Sequence, residues 1–125
     1  MKLIIAGCRD AGGPFGDKLV MEGMESLPWW EVSEVFSGCA RGIDAAGERL
    51  AFQWGLPVAK FPANWDQLGK RAGHVRNTHM AHYADALLAV WDGHSRGTAN
   101  MIETARRKGL LVHVHRFSWG QDLEL

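Results

Sequence analysis

Two segments of this 125-residue chain combine glycine, a hydroxyl or carboxylate, and arginine in a way suited to holding an anion. The first runs Ser37-Gly38-Cys39-Ala40-Arg41-Gly42-Ile43-Asp44 and the second Asp92-Gly93-His94-Ser95-Arg96-Gly97-Thr98. Each sits between a strand-like apolar run and a helix-like stretch. Glycine lets the backbone turn sharply and approach a ligand closely, and the first amides of a helix have no partner within it. A phosphate placed there gains hydrogen bonds from those amides and a favourable interaction with the helix dipole. Arg41 and Arg96 would add forked, charge-assisted donors. The plainer explanation is that tight turns require glycine and helix starts prefer Ser, Thr or Asp. Two loops of matching context favour the ligand, and a ligand with several phosphates would use both.

Other residues extend the same chemistry. Arg9, after Gly7 at the end of the first strand, can grip phosphate bidentately or pair with Asp10 or Asp44. Asp44 opens a helix, so it can cap amides or accept hydrogen bonds from ribose hydroxyls, with the cap as the physical minimum. Asn64 and Trp65 follow Pro62 and offer an amide beside a large aromatic face, against which stands a packing role for Trp65. Arg76 and Asn77 start or interrupt the third helical region, where a polar pair is hard to assign to a core. His79 and His82 can share a helix face near His74, but no cysteine or carboxylate set accompanies them, and a solvated histidine face is expected. His113 and His115 alternate on the last strand and point to one face. Cys8 and Cys39 are the only cysteines, too few for a disulfide scaffold, and are expected to be small, partly buried residues. Trp29, Trp30 and Trp119 are assigned to packing or a subunit contact.

These residues must be held by regular elements. Strand-like runs fall at residues 3–6, 34–36, 57–61, 86–91 and 110–114, separated by helix-length intervals. The helical stripes are Met21, Met24 and Leu27; Ile43, Gly47, Leu50 and Trp54; Ala72, Val75 and Met80, with Ala81 and Ala84 beyond; and Thr98, Ile102 and Ala105. Apolar strands alternating with helices predict a doubly wound α/β domain, its mainly parallel sheet of about five strands covered by helices on both faces. In such a sheet the ligand crevice lies beyond the carboxyl ends of the strands, where strand order reverses. Loops 7–13, 38–44, 62–77 and 92–98 all fall on that edge.

The size is that of one domain, residues 1–125, able to bury a core without staples. Acidic and basic residues balance at 14 each, so no overall basic field draws the chain to nucleic acid. The longest apolar runs are strand-length and no signal-peptide pattern opens the chain, which predicts a cytoplasmic protein without a membrane partner.

Taken in order, Gly7-Cys8-Arg9, the segment 37–44, Phe61-Pro62-Ala63-Asn64-Trp65, Gly69-Lys70-Arg71-Ala72-Gly73-His74-Val75-Arg76-Asn77 with Met80, and Trp91-Asp92-Gly93-His94-Ser95-Arg96-Gly97-Thr98 with Met101-Ile102 resemble the YspA-related branch of the SLOG superfamily. The resemblance spans roughly residues 1–114. That superfamily groups the Smf/DprA DNA-processing proteins with the LOG phosphoribohydrolases. The resemblance implies a Rossmann-like fold and binding of nucleotides or nucleotide-derived signals, often in conflict between phage and bacterial host. It also makes Arg76 and Asn77 the preferred ligand contacts of their segment. LOG enzymes carry a catalytic glutamate two or three residues after the threonine matched by Thr98; here those positions are Asn100 and Met101. Glu103 points well away from that face.

The expected ligand contacts are therefore Gly7, Arg9, Ser37, Gly38, Arg41, Gly42, Asp44, Asn64, Trp65, Arg76, Asn77, Asp92, Ser95, Arg96, Gly97 and Thr98. The expected partner is a nucleotide-derived small molecule, ADP-ribose-like or related, held by a sensor or sequestering protein that uses no metal or cofactor and can form a homodimer or higher homo-oligomer. No catalytic residue is assigned. The enzyme alternative is hydrolysis of an N-glycosidic or related bond, with Asp44 or another crevice carboxylate orienting water. A single-stranded nucleic-acid module is the third class, disfavoured by the neutral charge balance.

Overall fold

The computed structural model describes residues 1–119, so the last six residues of the expected domain lie outside the described residues. Five strands, β1 (Lys2–Gly7), β2 (Glu34–Ser37), β3 (Val58–Lys60), β4 (Ala86–Trp91) and β5 (Leu111–Arg116), form one sheet in the order β3-β2-β1-β4-β5. Every pairing is parallel. The helices are α1 (Gly13–Met24), α2 (Ile43–Gln53), the short α3 (Trp65–Leu68), α4 (Ala72–Tyr83) and α5 (Arg96–Arg107).

Alternation along the central strands divides the core into two layers. Leu3 and Ile5 of β1 and Leu88 and Val90 of β4 pack with Leu19, Val20 and Met24 of α1 and Ile43 and Leu50 of α2. Ile4, Ala6, Leu87 and Ala89 face the other way, against Met80 of α4 and Met101, Ile102 and Ala105 of α5. A strand buried on both faces has no polar alternation to show, so β1 and β4 read as continuous apolar runs. The edges are blunted: β3 is only three residues long and ends on Lys60, while β5 ends on Arg116. No helix among the described residues is long and apolar enough to cross a membrane.

Several expected details shift. In α1 the buried positions are Gly16, Leu19, Val20, Gly23 and Met24, whereas Met21 is largely exposed and Leu27, though buried, lies beyond the helix end. Methionine and leucine at three-residue spacing had mimicked a stripe that the pair Leu19-Val20 supplies. Trp54 caps the end of α2, and Ala84 that of α4. Pro57 and Phe61 flank β3, while β5 begins at Leu111 and runs on through Arg116. Arg76 and Asn77 neither start nor break a helix: both lie inside α4.

Candidate functional site

Strand order reverses between β1 and β4, because the chain leaves β1 toward β2 and β3 on one side and returns to β4 and β5 on the other. At the carboxyl ends of these two strands the following loops diverge and leave a crevice. A cleft of about 480 Å³ opens there, lined from β1 by Gly7, Cys8, Arg9 and Asp10, and from the β4 side by Asp92, His94, Ser95, Gly97 and Thr98. Ala40, Arg41 and Asp44 close it from the β2 loop, Arg76, Asn77 and Met80 from α4, and Met101 and Trp119 complete it.

Asp44 is the most constrained charge in this cleft. It is only 5% exposed. The N-cap of α2 is Gly42, and Asp44 does not cap that helix. Its carboxylate instead accepts a hydrogen bond from the amide of Ala40, at 3.3 Å, and the nearby backbone amide of Gly7 at the end of β1 also favours its charged form. Burial pushes the carboxyl up to about 6, against the opposing pull of the Ala40 amide, Arg76, the Gly7 amide and Arg9. The glycine at 42 has φ +76, and a Cβ there would strike the carbonyls of Cys8 and Arg9. Through that contact the amide of Ile43 donates to the Cys8 carbonyl, at 3.2 Å, so one helix-start amide expected to face a ligand is already used.

Arg76 reaches across from α4. Its Nη1 donates to the Gly38 carbonyl and its Nε to Oδ1 of Asn77, at 2.9 Å. Asn77 then donates to Oδ1 of Asn100 at 3.0 Å and to the Gly97 carbonyl at 3.4 Å, which joins α4 to α5 beneath the cleft. Burial lowers the guanidinium pKa, Asp44 raises it, and the like charge of Arg9 lowers it again. A Cβ on Gly38 would lie 2.5 Å from Nη1 of Arg76 and 2.7 Å from Oδ2 of Asp44, so only glycine admits both groups. Cys39 beside it has φ +65 and is exposed rather than partly buried, its amide donating to the Ser37 hydroxyl at 3.1 Å.

The remaining arginines divide. Arg9 makes neither of its expected ion pairs; its guanidinium lies 5.5 Å from the centre of the Trp65 ring. Arg41 takes Asp10 as partner at 3.0 Å, both being well exposed. Arg96 is exposed and lies outside the cleft lining.

On the β4 side the polar groups satisfy one another. The Asp92 carboxylate accepts from the amides of His94 and Ser95, at 2.9 and 3.0 Å, and from the indole of Trp119, at 3.0 Å. Burial raises its pKa, but these bonds and the Cys8 thiol together hold it far below the usual carboxylate range. Ser95 caps α5 by accepting from the Thr98 amide, at 3.5 Å. Cys8 itself is buried, and burial beside Asp92 pushes its thiol up to about 11, which keeps it protonated and poorly nucleophilic.

A second cleft of about 370 Å³ adjoins the first along Arg9, Ala40, Arg41 and Arg76, and adds Gly38, Cys39, Pro62, Ala63 and Trp65. Of the residues expected from sequence, ten line the first cleft and Gly38 and Trp65 join through the second. Ser37, Gly42, Asn64 and Arg96 line neither. Ser37 donates to Glu48, Gly42 shapes the turn, and Asn64 caps α3 by accepting from the Gln67 amide at 3.3 Å. His79 and His82 are exposed, and no group of three or more His, Cys, Asp or Glu among the described residues could hold a metal. Sequence reasoning left out Cys8, Asp10, His94, Met80, Met101 and Trp119 as lining. The signal for Trp119 was available, since it follows β5 on the same sheet edge as the other loops.

Fold and cleft define a parallel, doubly wound α/β domain with a polar crevice at its switch point. The Gene 61 protein of Mycobacterium phage D29 is 36% identical over 86 residues, which cover 62% of this chain and 67% of that protein. The chain belongs to the family of that phage protein. No family model and no solved structure matches it.

Proposed function

We propose that the chain binds a nucleotide or nucleotide-derived small molecule, ADP-ribose-like in kind, as a sensor or sequestering protein of the YspA-like SLOG type at work between phage and host. The observation that carries this reading is the wall of the cleft where the guanidiniums of Arg9 and Arg76 stand near one buried carboxylate, Asp44, and neither is held in a close ion pair of its own among the described residues, so both can turn to an anion. Phosphate on that wall would gain charge-assisted bonds. Ribose hydroxyls would find acceptors and donors in Asp44, Ser95 and Thr98, and the apolar floor of Met80 and Met101 would bury a base edge. The phage relative is consistent with the biological setting.

Asp44 favours one second reading. A buried carboxyl near 6 is poised for proton transfer near neutral pH, so hydrolysis of an N-glycosidic or related bond in the same ligand is the alternative. Against it stands Asn100, whose amide oxygen is engaged by Asn77 where the LOG-like glutamate is wanted.

Native mass spectrometry of freshly purified protein, followed by extraction, would identify a retained nucleotide. Titration with nucleoside monophosphates and ADP-ribose at two salt concentrations should then give saturable one-pocket binding. Affinity that grows with the length of a single strand, with no response to small nucleotides, would replace this reading with a nucleic-acid surface. Chromatography after long incubation with a nucleoside 5′-monophosphate should show intact ligand; free base produced by the native chain and lost in Asp44→Asn would establish the hydrolase.

A further inference from the structure

The second cleft differs from the first in its charge. Arg9, Arg41 and Arg76 line both, but the first cleft also carries Asp10, Asp44 and Asp92, whereas no carboxylate lines the second. Its other walls are small or flat: Gly38, Ala40, Pro62, Ala63 and the ring of Trp65. A shallow slot with an aromatic wall and arginine guanidiniums suits a planar, electron-rich ring, because both kinds of wall stack on it.

The shared arginines set how the two spaces connect. Arg9 lies over Trp65 on one side, and its charge acts on Asp44 and Arg76 on the other. A phosphate held by Arg9 therefore sits at the boundary, with one end of its molecule directed into the cleft at the switch point and the other toward Trp65. The main cleft, at about 480 Å³, and the adjoining one, at about 370 Å³, each fall within the size range of small-ligand sites.

We infer that the ligand is two-ended, a dinucleotide-class molecule whose phosphate bridge lies across Arg9, Arg41 and Arg76, with one nucleoside in the switch-point cleft and a second aromatic base against Trp65. This rests on the nucleotide reading proposed above and specifies its ligand class. Trp65 is about half exposed, and the edge of its six-membered ring lies against Gly73 of α4, so the indole is positioned by the helix while part of its surface stays accessible.

Calorimetric titration of the full chain with AMP, ADP-ribose and diadenosine 5′,5′-diphosphate tests the inference. The diadenosine compound should bind about tenfold or more tighter than either of the other two, since only it brings a second aromatic base to stack. Trp65→Ala should bring the affinity ratio of diadenosine diphosphate to AMP close to one, and Trp65→Phe should restore most of it. Equal affinity for AMP and the diadenosine compound in the native chain would overturn the two-ended ligand while leaving the nucleotide reading intact. A ratio unaffected by Trp65→Ala would likewise overturn it. Failure of all three to bind would overturn both readings together.

Discussion

The two glycine loops look alike in sequence and differ in what their charges are doing. At the loop after β2, Asp44 is buried with its pKa raised, and Arg9 and Arg76 stand near it without a close ion pair among the described residues. In the loop after β4, Asp92 is an anion already bound: the amides of His94 and Ser95 and the indole of Trp119 donate to it. The side chain of Asp92 thus takes the amides of the turn just before α5, and Ser95 takes the Thr98 amide of the helix's first turn. A glycine loop whose amides already bind its own carboxylate has fewer donors left for an external anion. The ligand's negative charge belongs on the arginine wall, and the β4 loop offers polar contacts of the kind that ribose uses.

Removing Arg76 should break this asymmetry most completely. Arg76→Ala takes away the donors to Gly38 and Asn77 and the charge that opposes the desolvation of Asp44. Stability should fall by about 2–4 kcal/mol by denaturant titration at pH 7, and the Asp44 carboxyl should rise further. Nucleotide affinity should drop about a hundredfold.

Asp44→Asn should act in the opposite direction. The folded carboxyl, near 6, lies above its ordinary 3.8, so ionising it costs folding free energy at any pH above that window and nothing below it. The amide oxygen keeps an acceptor for the Ala40 amide. The variant should match the native chain near pH 3.5 and exceed it by about 1–3 kcal/mol at pH 8, the gain growing from about pH 4 to 6. A gain independent of pH would show that Asp44 is not the source.

Asp92 carries the contrary sign. Its pKa is depressed, so its contribution is present above the ordinary carboxylate range and is lost as pH falls through that range and below. Asp92→Ala should cost about 1–2 kcal/mol at pH 7 and progressively less below about pH 4. Tested together, the two variants separate a loop that is strained by its charge from one that is held by it.

The architecture was legible because β1 and β4 are buried on both faces, and such strands announce themselves as unbroken apolar runs. The sheet edge that carries the cleft followed from that alternation alone. What could not be read was pairing. Nothing in the order of residues tells that Arg41 reaches Asp10, that Arg9 lies over Trp65, or that Asp44 bonds back to Ala40 instead of capping its own helix. These depend on loops from different strands meeting in space. Trp119 divides the two: its place on the cleft edge follows from its position after β5, but its bond to Asp92 exists because β5 lies beside β4.

Arg41 and Arg96 give the finest comparison, since each sits in the same place of its glycine loop and the sequence treats them as equals. Arg41 lines both clefts, while Arg96 points from the first turn of α5 and lines neither. Arg41 is already paired with Asp10, and because both are largely exposed that pair adds little to stability. A phosphate can therefore draw Arg41 away from Asp10 at small cost. Arg41→Ala should leave stability within about 0.5 kcal/mol and weaken nucleotide binding about tenfold, with the loss shrinking in high salt. Arg96→Ala should change binding less than about twofold, leaving only the weak long-range influence of an exposed charge. Calorimetry on the two variants side by side decides it: equal losses would put phosphate at the α5 start as well and would remove the distinction between the loops.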